Sequence, residues 1–555
     1  MTDLTKPKER WGTRLGVILA VAGSAVGLGN FLRFPGLAAQ YEGGAFMVPY
    51  FIALFILGLP LAWGEWAMGR FGGRHGYNSS PGIYRSIWKA KAAPYLGVLG
   101  MLVPVVIYMY YVLIESWCLA YAWFYLSGTM AEVAETGRQA AAAAGGGATL
   151  DASPFQHHLF GFIGATENGA AFTGLGLLFL AFCFVLNFTL IYRGLHKGIE
   201  KFCLVAMPAL IVCALLVLLR VLTLPTHEGR GVLDGLGYMW NPRGAADPAT
   251  GETGSFFAAL LNPKMWLDAT GQIFFSLSVG FGIIITYSSY LRKDDDVALS
   301  ALSSASGNEF CEVALGGMIT IPAAFIFLGL AVSDSVGSAF GLGFLTLPMV
   351  FAQMPMGNVV GFLFFFLLFL AAVTSSLSML QPAIALLEEA LGIGRKASVA
   401  ILGFVTLCGA MFVLYFSANT LALDTFDTWV GTLCIYLLAM FQTLLFGWAL
   451  TPKRGMAELD RGSSLRVPRL VGFLLRYVAP VYLGVIFVAF VIGEINKGGD
   501  SFFARVVTEP VVAMSVGFLV MVVAFFLMII HLGVKRWRDA EAAAGGGAVA
   551  EGGGG

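Results

Sequence analysis

Apolar residues along this chain fall in long unbroken blocks, with no period-2 alternation of the kind that marks strands. About 20 consecutive apolar residues are needed to cross a bilayer as a helix. Blocks of that order lie near 13–39, 44–70, 94–127, 172–190, 199–224, 265–290, 298–332, 357–391, 398–416, 425–449, 468–494 and 508–534. The pattern predicts an all-α polytopic membrane protein with 12 transmembrane helices. A short polar segment, 1–12, precedes a membrane domain over 13–534, and a tail of 535–555 follows. Lys6, Lys8, Arg10 and Arg14 before the run ending Ala22-Gly23-Ser24-Ala25 mimic a secretion signal. Eleven further apolar blocks make an uncleaved first span the better reading.

Composition agrees: 58% of the 555 residues are hydrophobic and 12% charged, where soluble domains carry about 25% charged residues. Net charge is zero, and no basic tract suggests a nucleic-acid partner. The 7 cysteines show no CxxC pairing, so neither a disulfide framework nor a Cys/His metal centre is expected. Enzyme signatures such as HExxH and GxSxG are missing, and Gly27-x-Gly29 lacks the third glycine of a dinucleotide loop. His531 is the one histidine inside a span, which disfavours haem. No enzymatic activity is expected.

Lysine and arginine set the orientation. One set of span ends carries the N-terminal cluster, Arg70, Arg74, Arg85, Lys89, Lys91, Arg193, Lys197, Lys201, Arg292, Lys293, Arg395, Lys396 and the basic residues of 453–476 and 535–538. The other set holds Arg138, Arg230, Arg243, Lys264, Lys497 and Arg505. The positive-inside rule places both termini in the cytoplasm of a cell whose inner (plasma) membrane holds the protein. Residues 139–149 and the tail from Ala540 are Ala/Gly-rich, and composition predicts disorder for the tail.

Two blocks carry glycines at their centres. The first has Gly23, Gly27 and Gly29 about halfway, and the sixth has Gly280 and Gly282 just after Ser276 and Ser278. One glycine pair more often marks close helix packing. Two Gly-rich breaks five spans apart point to a transport site, because paired broken helices are its sequence sign. Each break exposes N–H groups that suit an anion and carbonyls that suit a cation. A zwitterionic amino acid with small cations fits such a site.

The runs AGSAVGLGNFLRFPGLAAQYEGGAFMVPYF and LPLAWGEWAMGRFGG resemble the signature of the neurotransmitter:sodium symporter family. The resemblance continues through YYVLIESW, RGLHKGIEKF, GQIFFSLSVGFG, SGNEFCEVALGG, FLAAVTSSLSMLQP and DTFDTWVGT. It implies two inverted five-helix repeats, about 13–224 and 265–449, with two extra helices over 468–534. It also implies two sodium sites. The first would use the Ala25 carbonyl with the side chains of Asn30, Ser276 and Asn308, completed by the substrate carboxylate. The second would use the carbonyls of Gly23, Val26 and Ala371 and the hydroxyls of Thr374 and Ser375. Neutral carbonyl, hydroxyl and amide oxygens are hard ligands of the kind such a cation takes.

By the same resemblance the substrate carboxylate meets N–H groups near Leu28 and Gly29 and the Tyr111 hydroxyl. Its amine meets carbonyls around Ala25, Phe275 and Ser278. Val26, Ile107, Tyr111, Phe275, Ser278, Phe281, Ser375 and Met379 would surround the side chain, with Ser276 also counted among the substrate-binding residues. Ile107 narrows this pocket and Met379 adapts its shape, which favours small to medium aliphatic amino acids. No acidic residue faces the pocket, which disfavours monoamines. An outer gate of Arg33 and Asp427 with Gln272, and an inner gate of Lys8, Glu389, Tyr290 and Gln381, are implied. Glu312 stands where chloride-dependent members have Ser, so chloride is not expected to be required. Sodium, an amino acid and the bilayer are the implied partners, with a second copy of the chain as a candidate. A sodium- or amino-acid-gated sensor or channel on the same fold is the alternative.

Overall fold

In a bilayer every backbone N–H and C=O needs a partner inside the protein, a demand that helices meet within themselves. The computed structural model describes residues 9–41, 43–144, 150–164, 174–242, 255–328 and 339–550. Those residues are helical or irregular, with one isolated bridge between His227 and Arg230. The chain opens with α1 (Arg14–Ala25) and α2 (Gly29–Gln40), bent by 49° at the break between them. Then come α3 (Gly44–Arg74), α4 (Ala93–Ser127), α5 (Gly174–Tyr192) and α6 (Leu195–Leu222). Two short helices, α7 (Pro263–Leu277) and α8 (Ile283–Ser288), follow. The second half adds α9 (Val297–Leu328), α10 (Gly357–Leu391), α11 (Arg395–Tyr415), α12 (Ala418–Leu450) and α13 (Leu470–Asn496). Last is α14 (Pro510–Ala550).

Among the described residues, 10 helices are long and apolar enough to cross a membrane, and the bent α1/α2 pair makes an eleventh. Helices α7 and α8, of 15 and 6 residues, are each too short to cross by themselves. Their separation is the sixth-block break, and it is why the continuous count falls below the predicted 12. Element bounds otherwise lie within a few residues of the apolar blocks.

One difference from the sequence reading concerns the Ala-rich tail. Helix α14 runs to Ala550, where composition predicts a disordered tail from 535. Alanine is the strongest helix former, and Arg85 pairs with Glu541 at 2.7 Å. In the loop after α4, a helix over Thr129–Ala143 takes in the start of the 139–149 stretch, and 145–149 lie outside the described residues.

Helices α4 and α10 pack along each other and form the centre, with 83% and 78% of their most apolar windows buried. Helices α5 and α13 are only 22% buried in theirs, so their apolar faces are left for lipid. The interior is therefore organised around α4, α10 and the two broken elements. All seven cysteines are free, and no cluster of three His, Cys, Asp or Glu could hold a metal among the described residues.

Candidate functional site

The first break begins where α1 stops at Ala25 and Val26 turns extended (φ −71°, ψ 98°). This frees carbonyls at the end of α1. Ser375 Oγ on α10 lies 3.4 Å from the Gly23 carbonyl and 3.3 Å from that of Ser24. Ser278 Oγ donates to the Ser24 carbonyl at 3.0 Å, so the two breaks touch. On the far side of the break the N–H groups at the start of α2 are presented. Leu28 N–H points at the Tyr111 hydroxyl, 3.4 Å away, and Gly27 N–H donates to Asn30 Oδ1 at 2.9 Å.

The second break needs three left-handed residues in a five-residue stretch: Ser278 (φ 54°), Gly280 (φ 74°) and Gly282 (φ 78°). Gly282 is required twice over. Its φ disfavours a side chain, and a Cβ there would lie 2.3 Å from the Gly100 carbonyl oxygen. The loosened backbone is braced by a carboxylate, since Gly280 N–H donates to Glu65 Oε1 at 2.8 Å and Glu65 is fully buried on α3.

A cavity of about 460 Å³ opens at the breaks. Ala25, Leu28, Gly29, Ile107, Tyr111, Phe275, Ser278, Phe281, Ser375 and Met379 line it. Of the residues expected around the substrate, Val26 and Ser276 do not line it; both are buried behind the wall. The lining continues outward past Arg33 to Gln40 on one side and past Asp427 to Asp424 on the other.

Asn30, Ser276 and Asn308 converge as the resemblance implies, and Glu312 ties them together. Asn30 Nδ2 donates to Asn308 Oδ1 at 2.9 Å and to Glu312 Oε2 at 3.1 Å. Asn308 Nδ2 donates to Ser276 Oγ at 2.6 Å, and the Ser276 hydroxyl donates to Glu312. Gln272 donates to the other carboxylate oxygen at 3.0 Å, and the single Tyr50 hydroxyl hydrogen is shared between that oxygen at 2.9 Å and Glu309 Oε2 at 2.7 Å. Gln272, expected at the outer gate, therefore serves the Glu312 cluster. Of the second set, Ser375 Oγ reaches the Gly23 carbonyl and Thr374 lies against Gly23, while Thr374 Oγ1 donates to the Ala371 carbonyl at 3.0 Å within α10. Both sets consist of neutral oxygens, which suits a hard monovalent cation.

The gates are unequally formed. Arg33 does not reach Asp427. Its guanidinium stacks over Phe275 at 4.2 Å and donates to the Gly271 carbonyl at 3.5 Å. Asp427 accepts the Tyr110 hydroxyl at 2.6 Å. Arg33 and Asp427 are therefore apart in this structure. On the other side Gln381 donates to Tyr290 at 3.1 Å and accepts from Arg395 at 2.9 Å. Arg395 also pairs with Glu9 at 2.8 Å. Glu389 accepts the N–H groups of Asn78 and Ser79 at 2.7 and 2.9 Å, and Lys8 lies outside the described residues. Trp11 is buried and donates to the Tyr287 carbonyl at 3.0 Å.

Sequence reasoning missed Glu65, Tyr50, Arg395 and Glu9. A scan for ionisable residues inside spans would have found Glu65. Nothing in the motifs marked the Arg395–Glu9 pair, which joins residues far apart in the chain.

This geometry has known counterparts. Residues 8–539 match the family model for the sodium:neurotransmitter symporter family. A sodium-dependent transporter of Methanocaldococcus jannaschii is 27% identical over 486 residues, covering 86% of this chain and 89% of that protein. The sodium-dependent serotonin transporter of Drosophila melanogaster is 27% identical, covering 90% of this chain and 79% of its own length. The crystal structure of MhsT in complex with L-phenylalanine superposes with a TM-score of 0.70 at 28% identity, covering 87% of this chain and 99% of MhsT. With two broken helices meeting over one cavity and a family match across nearly the whole chain, the protein belongs to the sodium:neurotransmitter symporter family, a family of membrane transporters and not of enzymes.

Proposed function

We propose that this chain is a sodium-coupled symporter that imports a neutral, small to medium aliphatic amino acid by alternating access. The observation that carries the reading is the meeting of the two breaks over one cavity. Leu28 N–H and the Tyr111 hydroxyl lie together at its base, where a carboxylate would be received. Among the described residues that line the cavity, no Asp or Glu side chain stands beside Ile107, Phe281 or Met379 to pair with a bare amine, and Asp424 and Asp427 lie at the outer end. Two sodium ions travel as co-substrates, one on Ala25, Asn30, Ser276 and Asn308 and one on Gly23, Val26, Ala371, Thr374 and Ser375. The buried Glu312 carboxylate stands in for the negative charge that chloride would bring, so transport is chloride-independent.

In this cycle the open outer path admits substrate, and Arg33 and Asp427 then approach each other above it. Release inward requires Trp11 and the Arg395–Glu9 pair to let go. Taking α7 and α8 as one broken span gives twelve crossings, with both termini cytoplasmic in the inner membrane.

Uptake into proteoliposomes over twenty amino acids, with sodium, potassium or choline outside, tests the reading. Accumulation of an aliphatic amino acid against its gradient, only with inward sodium, is the expected result. Flux that never exceeds equilibrium would mark a gated channel or sensor instead. MhsT holds phenylalanine, so an aromatic substrate is the rival within the symporter reading. Preference for phenylalanine over leucine in the panel would establish it.

A further inference from the structure

Glu115 sits on α4 one helical turn beyond Tyr111, fully buried. A carboxylate at membrane depth is costly and needs a partner or a role. The partners here are neutral. The Ser376 hydroxyl of α10 donates to Oε2, and Asn187 Nδ2 of α5 donates to Oε1 and Oε2 at 3.2 and 3.0 Å. Ser376 and Asn187 are themselves fully buried. No ion pair to Glu115 occurs among the described residues.

The donors are directed at an anion. Ser376, Asn187 and the Cys183 thiol aim hydrogens at the carboxylate, while Asn187 Oδ1, which a protonated acid could have served, has no hydrogen-bond partner. Holding three helices together would need only neutral groups, and an unpaired carboxylate is an expensive way to do it. A positive charge is missing from the cluster. The residue that binds Glu115 is the neighbour of Ser375, and the second sodium set of Gly23, Val26, Ala371, Thr374 and Ser375 contains no charge of its own. The first set already has such an arrangement, with Ser276 donating to the buried Glu312.

We propose that Glu115 is the counter-charge of the second sodium site, a positioning residue that favours the cation from behind Ser376 without touching it. The proposal rests on the sodium reading above. Opposite unit charges attract over distances longer than a contact where water is excluded.

The test is sodium binding alone, without amino acid, to the purified full-length protein. It is read by thermal unfolding against sodium concentration and by radioactive sodium binding. Glu115→Gln keeps the shape and removes the charge, and the sodium half-saturation should rise about fivefold or more. Glu115→Asp should regain most of it. An unchanged half-saturation in Glu115→Gln, or an equal rise in Glu115→Asp, overturns the proposal. Thr374→Ala separates the two levels. If it leaves sodium binding unchanged, the second site itself is wrong; if it weakens binding while Glu115→Gln does not, only the counter-charge fails. Should Glu115→Gln not reach the membrane, Ser376→Ala still decides. It removes the hydroxyl and keeps the charge, so half-saturation should stay within about twofold. A rise as large as that of Thr374→Ala would mean that Glu115 acts by holding α10, and would sink the charge account.

Discussion

Gly280 N–H donates to Glu65 Oε1 at 2.8 Å, so a buried carboxylate of α3 holds the unwound backbone between α7 and α8. Unwound backbone survives at membrane depth only where protein or trapped water satisfies it. Glu65→Leu strips the acceptor from that N–H, and hydrogen bonds to charged groups contribute about 1.5–3 kcal/mol. We expect Glu65→Leu to lower the unfolding temperature in detergent and abolish uptake, while Glu65→Gln, which keeps an acceptor oxygen, retains at least partial uptake. Equal uptake by Glu65→Leu and wild type would show that the break does not need this brace.

Glu312 receives hydrogen bonds from Asn30, Gln272, Ser276 and Tyr50. With the carboxylate gone, Asn30, Gln272 and Ser276 leave donors around a space where an anion would be stabilised, while Tyr50 can keep its bond to Glu309. Glu312→Ser should therefore make uptake depend on chloride. Replacing chloride with gluconate should cut uptake in the variant several-fold and leave wild type unchanged. Loss of wild-type uptake in gluconate would refute chloride independence.

Much of this could be read from residues alone, for a physical reason. The spans were legible because the bilayer demands long apolar runs, and the breaks because only glycine tolerates Gly282's conformation. The meeting of Asn30, Ser276, Asn308 and Glu312 followed from motif resemblance. The conformational state was not legible. Arg33 rests over Phe275 and Asp427 on Tyr110, contacts that a motif does not specify because one sequence can adopt more than one conformation. Nor was the Arg395–Glu9 pair, because a contact between span ends carries no periodic signal.

Arg33 stacks over Phe275 while Asp427 accepts from Tyr110, and this makes its role testable. A static bridge would be formed in every state; a gate forms late. Arg33→Lys keeps the charge and loses the planar group that stacks on the ring. We expect substrate affinity to weaken more than sodium affinity, because the cover closes over the substrate. A variant in which neither changes would assign Arg33 a passive place in the wall.

Ile107 and Met379 line the cavity with Phe275 and Phe281, and their sizes should set the substrate. Ile107 is 2% exposed and packed in the core, so shortening it leaves space that the rigid α4 backbone cannot close. One methylene in an apolar pocket discriminates by about 1–3 kcal/mol at most. Ile107→Val should then shift the uptake ratio of a larger to a smaller aliphatic substrate upward by several-fold. Met379→Ala should open the pocket further and admit phenylalanine, with sodium dependence retained because neither residue supplies an oxygen. Competition of labelled alanine by leucine, methionine and phenylalanine measures both shifts. An unaltered ranking in the double variant would mean that the side chain is read elsewhere in the cavity.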